Sequence, residues 1–137
     1  MGKDECLEKI IDGFDIVVDC LVDFEQKFFL NDLAIKYKKP LVYSFLRGEH
    51  AQLALILPCE TACLKCMYPE KVDLELDSTY QDFLSSAISA VLVDVVICWA
   101  LQLDDEICQY LLTYNAIDME FNKIKLTRNS SCLVCSK

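Results

Sequence analysis

Two short cysteine pairs, Cys63/Cys66 and Cys132/Cys135, share the spacing Cys-x-x-Cys. Each tight turn of this kind presents two thiolates, and two turns together complete a closed tetrahedral donor set for one structural zinc ion. Four sulfur ligands leave no coordination position for a substrate, so the expected role is structural rather than catalytic. Zinc would pin the C-terminal segment to the middle of the chain, with an apparent stabilisation of ~10–16 kcal/mol, as in small zinc domains.

The remaining cysteines are Cys6, Cys20, Cys59, Cys98 and Cys108. Cys20 and Cys98 fall in apolar segments and are expected in the core. Cys59 adjoins the first pair and ranks second as a ligand. None has sequence neighbours basic enough to lower a thiol pKa. His50, the single histidine, sits at a turn-to-strand junction and is expected at the surface. Asp15, Asp19 and Asp23 gather around the end of a short apolar run. That end of a strand is where open α/β sheets bind ligands and metals. The three acids therefore read either as a magnesium site or as turn and cap residues. The only glycines are Gly2, Gly13 and Gly48, so neither G-x-G-x-x-G nor a phosphate-binding P-loop can be written.

These groups need a scaffold, and 137 residues are enough for one domain with a modest core. The net charge of −9 excludes the basic footprint of a nucleic-acid binder. The N-terminal Met-Gly-Lys-Asp-Glu-Cys carries no apolar signal segment, so a cytoplasmic, reducing location is expected. Paired cysteines then read as metal ligands rather than disulfides. The run from Phe83 to Leu101 approaches bilayer-spanning length. Asp94 near its middle, three serines and the lack of a flanking basic cluster make it instead a buried or interface helix, with no membrane partner expected.

The patterning predicts a short helix over 3–12, closed by Gly13, then a buried strand over 15–19. A helix capped by Asp23 should run to about Lys39, where Pro40 ends it. Strands follow over 41–46 and 51–57, joined by a turn at 47–49. After the first cysteine turn comes an acidic connector to about Ser78, a long helix over 80–103, and a closing hairpin over 109–117 and 121–126. The fold class is α/β, a partial Rossmann-like sheet with a parallel start and an antiparallel finish.

Residues 15 to 32, Asp-Ile-Val-Val-Asp-Cys-x-x-Asp-Phe-Glu-x-Lys-x-x-Leu-Asn-Asp, resemble the ThiF/MoeB/HesA family of ubiquitin-activating-enzyme-like adenylating proteins. The likeness continues in Lys39-Pro-Leu-Val-Tyr43, Cys63-Leu-Lys-Cys-Met-Tyr-Pro-Glu70, Tyr114-Asn-Ala-Ile and the closing Arg128-Asn-Ser-Ser-Cys-Leu-Val-Cys135. The resemblance implies a Rossmann-like fold, a structural tetrathiolate zinc, and dimerisation. It further implies ATP-dependent adenylation of the C-terminal glycine of a ubiquitin-like protein, with magnesium and basic groups stabilising charge at the α-phosphate.

Against that pattern, the chain reads as the C-terminal half of such a domain, beginning at the crossover into a mid-sheet strand. The family's second Asp in Asp-Cys-Thr-Asp-Asn holds magnesium, and counting back from Asn31 places Val22 there. Asp23 takes the family's Asn, and only a one-residue shift would bring it to magnesium. Lys27 takes the family's Arg. Ser44, Ala51 and Met119 replace glycines. The connector has no cysteine where thioester-forming relatives carry one; Ser78 or Thr79 lies there. The expectation is thus a zinc-stapled, non-catalytic protein. It would form a homodimer, or a heterodimer with a ThiF/MoeB-like subunit, or bind a ubiquitin-like or sulfur-carrier protein. The alternative is the C-terminal part of a split or truncated activating enzyme that uses ATP and magnesium once the nucleotide-binding half is supplied.

Overall fold

A five-stranded mixed sheet in the sequential order β1-β2-β3-β4-β5 forms the middle layer. The structure is a computed structural model and describes residues 3–70, 81–103 and 106–136. Its elements are α1 (Lys3–Ile11), β1 (Val17–Val18), α2 (Phe24–Lys36), β2 (Leu41–Arg47), β3 (His50–Ile56), α3 (Leu64–Met67), α4 (Gln81–Leu101), β4 (Tyr110–Asn115) and β5 (Glu120–Lys125). The acidic connector, with Ser78 and Thr79, lies outside the described residues.

β1 pairs parallel with β2, and α2 makes the crossover that a parallel pair requires. All later pairings are antiparallel. The expected parallel start and antiparallel finish are therefore present. The β2–β3 hairpin closes in two residues, since Arg47 faces His50. Gly48 supplies the positive φ, 54°, that the first central position of a type II′ turn requires. In the β4–β5 turn Met119 holds φ 53°, in the left-handed region where a side chain is strained and glycine is preferred.

Two of the predicted boundaries shift for local reasons. The strand expected over 15–19 shortens to two residues, and it is not fully buried: Val17 is half-buried and Val18 exposed. It occupies the sheet edge, where its β2 ladder uses the amides of Val17 and Asp19, at 2.8 and 2.9 Å. Alternation then turns the amide of Val18 toward the open side. Helix α2 ends at Lys36, not Lys39, because Lys38 takes φ 53° and the amides of Tyr37 and Lys39 reach back to the carbonyls of Leu33 and Ala34.

Side chains alternate across β2 and β3 and so build two cores. Leu41, Tyr43, Phe45, Ala54 and Ile56 pack with α2 and the cysteine turns. Val42, Leu53 and Leu55 pack against Leu84, Ile88, Leu92 and Val95 of α4. A sheet covered on both faces explains why these strands read as continuous apolar runs.

Candidate metal centre

The first cysteine turn is held by its neighbours before any metal is considered. Asn31 of α2 is fully buried, and its Oδ1 accepts the amide hydrogen of Leu64 at 2.9 Å. That bond satisfies an orphan donor at the start of the four-residue α3. Tyr68, just past α3, packs edge-on against Phe24 at 5.4 Å and donates through its hydroxyl to Gln52. Lys65, between the two cysteines, sets its Nζ 3.9 Å from the centroid of the Phe28 ring. The tail carrying the second turn returns alongside. Arg128 donates to the Cys135 carbonyl, and the Asn129 amide donates to Cys66 Sγ at 3.5 Å.

The four sulfurs converge as the spacing predicts. Sγ–Sγ separations are 3.9 Å for Cys63–Cys66, 3.7 Å for Cys63–Cys132 and 3.5 Å for Cys66–Cys135, with all four within 4.8 Å. A tetrahedral ion with metal–sulfur bonds near ~2.3 Å needs sulfurs about 3.8 Å apart, so the donor set fits one metal ion. Cys63, Cys132 and Cys135 are buried and Cys66 half-buried. Burial raises the thiol pKa of Cys63 and of Cys66. At Cys132 burial also opposes ionisation, but hydrogen bonds from the Cys135 and Val134 amides outweigh it and bring the pKa down to about 7. Cys59 stands outside the group, exposed, at φ 66°.

The three aspartates have a different fate. Among the described residues the cysteines are the group of three or more potential ligands that comes together; Asp15, Asp19 and Asp23 do not. Asp15 is exposed. Asp23 is also exposed and caps α2, its Oδ1 accepting the Gln26 amide at 2.9 Å. Asp19 is buried: Oδ2 accepts from Lys27 Nζ at 2.9 Å and Oδ1 from the Leu21 amide at 2.9 Å. Lys27 is itself buried and also donates to the Ser44 carbonyl at 2.7 Å, while Ser44 Oγ donates to the Asp19 carbonyl at 3.0 Å. Burial lowers the Lys27 pKa, and the Asp19 charge opposes that shift. Val22, at the place the resemblance gives to a magnesium ligand, is exposed and offers no donor.

The residues of this segment consequently do not fit magnesium–ATP as they stand. The carboxylate at the strand end is occupied by an internal ion pair, and the next expected ligand is a valine. The sequence reading missed Asn31, Lys27 and Ser44 as structural keys. Only their tertiary partners reveal them, although a lysine amid apolar helix positions was a signal. Cys20 is exposed rather than in the core, because β1 lies at an edge. Cys98 is half-buried, and His50 is exposed as expected.

The sequence profile of the ThiF family matches residues 1–134. This chain belongs to the ThiF family. It is 30% identical over 133 residues to the protein HesA of Leptolyngbya boryana, covering 94% of this chain and 47% of that protein. It is 25% identical over 137 residues to a sulfur carrier protein adenylyltransferase of Thermus thermophilus, covering 93% of this chain and 51% of that one. The fold matches a crystal structure of E. coli MccB with MccA-N7isoASN at a TM-score of 0.73 and 15% identity, over 100% of this chain and 44% of the other. The chain spans about half the length of the curated relatives it matches.

Proposed function

We propose that this chain is a zinc-stabilised, non-catalytic ThiF-family protein of the cytoplasm. It pairs, as a homodimer or a heterodimer, with a ThiF/MoeB-like adenylating subunit, or binds a ubiquitin-like or sulfur-carrier protein. The observation that carries this reading is the closed state of the β1–α2 segment: Asp19 is buried against Lys27, and Val22 stands where a magnesium ligand is required. Three glycines at positions 2, 13 and 48 cannot form a phosphate loop in this sequence. Sulfur spacing supports zinc, since tetrahedral thiolate sites favour it, and four ligands assign it a structural role. The carrier-protein adenylyltransferase among the relatives and the MccB–MccA structure support a protein or peptide partner.

A second reading has its own support. Among the described residues no strand pairs with the outer edge of β1, and an edge strand presents unpaired backbone groups that can template a further strand. With a chain half as long as its relatives, this suits the C-terminal part of a split adenylating enzyme. ATP and magnesium would then bind only with a nucleotide-binding half present, with Asp23 as the nearest magnesium candidate.

ATP–pyrophosphate exchange with candidate carrier proteins separates the two. The non-catalytic reading expects no exchange from this chain alone and none after adding a glycine-loop-bearing ThiF half. Exchange by the chain alone overturns it. Exchange that appears only with the second half establishes the split enzyme.

A further inference from the structure

We propose that the cysteine cluster is an oxidation site for hydroperoxides, in which Cys66 is attacked first, Cys135 resolves it, and Cys63 then pairs with Cys132. Both disulfides run between the two turns, so the metal leaves while the C-terminal segment stays tied to the middle of the chain. The loss of metal rests on the zinc reading above. The order of pairing rests on the sulfur positions alone.

Exposure selects the point of attack. Cys63, Cys132 and Cys135 are buried, whereas Cys66 is half-buried and reaches the surface. A peroxide arriving from solvent therefore meets the Cys66 sulfur before the other three. That sulfur is held against the returning tail, since it accepts the Asn129 amide at 3.5 Å while Arg128 donates to the Cys135 carbonyl. Redox-sensing cysteines are accessible and sit beside a resolving cysteine, and Cys66 meets both conditions. Cys6, Cys20 and Cys59 are also exposed, but they lie outside the group of converging sulfurs.

Distance selects the partner. Cys66 Sγ lies 3.5 Å from Cys135 Sγ and 3.9 Å from Cys63 Sγ. Once Cys66 and Cys135 are joined, the two remaining sulfurs, Cys63 and Cys132, are 3.7 Å apart. A disulfide brings its sulfurs to about 2.05 Å, so each atom moves by less than about 1 Å. The two pairs share no residue and each spans 69 positions, so one molecule can form both. Pairing within the turns, Cys63 with Cys66 and Cys132 with Cys135, would tie neither turn to the other.

The chemistry closes with a hydroperoxide as the only co-reactant. The Cys66 thiolate attacks one peroxide oxygen, the S–O bond forms, the O–O bond breaks, and hydroxide leaves. The Cys135 thiolate then attacks the Cys66 sulfur, the S–S bond forms, the S–O bond breaks, and a second hydroxide leaves. Solvent protons convert both hydroxides to water. The two sulfurs together lose two electrons, and the peroxide gains them. With two of four donors consumed, the closed tetrahedral set is gone and zinc is no longer held. A second peroxide oxidises Cys63 and Cys132 in the same way. In a reducing compartment such disulfides are transient and act as redox sensors.

Hydrogen peroxide titration of the reduced, metal-loaded full chain tests this. Zinc release is followed with a chromogenic chelator, and disulfides are mapped without reduction by trypsin and mass spectrometry. Trypsin cuts after Lys65, which separates Cys63 from Cys66, and after Arg128, which frees the tail peptide 129–137. The first equivalent is expected to join peptide 66–71 to 129–137 through Cys66 and Cys135 and to release about one zinc per chain. The second is expected to add peptide 48–65 through Cys63 and Cys132. Cys59→Ser is expected to leave both linkages in place and to change the rate of zinc release by less than ~2-fold. The same two linkages are expected in metal-free chain. If native protein carries no zinc, the zinc reading fails, and the pairing still stands or falls on that metal-free arm. A principal product that joins Cys63 to Cys66, a linkage that needs Cys59, sulfinic acid at Cys66 without a disulfide, or zinc retained after both linkages form overturns the proposal.

Discussion

The two cysteine turns and the β1–α2 segment both bring potential ligands together at short spacing in sequence, yet they end differently. In the turns, four sulfurs from segments 69 residues apart meet around one point, supported by Asn31, Arg128 and Asn129. In β1–α2, three carboxylates four residues apart separate into an exposed side chain, a buried ion pair and a helix cap. The difference teaches that donor spacing matters less than what the fold does with each side chain. Four sulfurs that lose water are brought to the spacing a single metal ion would need. A buried carboxylate without a metal must find a cation, and Asp19 finds Lys27.

The largest expected effect follows from removing the metal. Native protein should carry about one zinc per chain. Changing Cys63 and Cys66 together to Ser is expected to abolish metal binding and release the tail to proteolysis, since ~10–16 kcal/mol of apparent binding energy is coupled to the fold. The pH response should reverse sign with the metal. In the metal-free protein, the raised thiol pKa values of Cys63 and Cys66 favour the protonated fold, so their contribution is present below the ordinary thiol pKa and lost as pH rises. Cys132, lowered to about 7, opposes them in part. With zinc, protons compete for the thiolates, and stability falls as pH falls. Urea midpoints measured against pH, with and without chelator, check this; parallel curves would mean that the cluster holds no metal.

Next in size is the ion pair. Lys27→Met leaves the Asp19 carboxylate buried and unpaired, and is expected to cost about 3–5 kcal/mol in urea unfolding. Adding Asp19→Asn should recover part of that loss. If the double variant were as unstable as the sum of its singles, the two residues would not be partners.

Asn31 links the compared regions, because it rides on α2 and holds the first turn. Asn31→Ala is expected to cost about 1–3 kcal/mol and to weaken zinc affinity in a chelator competition. Unchanged affinity would show that the turns form independently of α2.

The smallest effects belong to the exposed residues of β1–α2. Asp23→Ala should lose about 1 kcal/mol through the missing cap. Val22→Asp should move stability by less than about 0.5 kcal/mol and confer no exchange activity on the chain alone. A magnesium-dependent rise in melting temperature for wild type but not for Asp23→Ala would restore the magnesium reading of Asp23.

Much of this molecule was legible in its residues. The cysteine spacing located a cluster that could hold a metal, Pro40 and Asp23 bracketed α2, and the turn at 47–49 separated β2 from β3. These signals are local: a cap, a breaker or a tight turn acts within a few residues of chain. Tertiary structure alone decided that Asp19 would be the buried acid, because only the packing of α2 on the sheet brings Lys27 to it. It likewise decided that β1 would be an edge, exposing Cys20 and Val18, since strand order is a property of the whole sheet. It also set which stripe of an almost uniformly apolar α4 would face the sheet, leaving Phe83, Val93 and Ile97 outward. A helix apolar on all sides has no inside until its neighbours give it one.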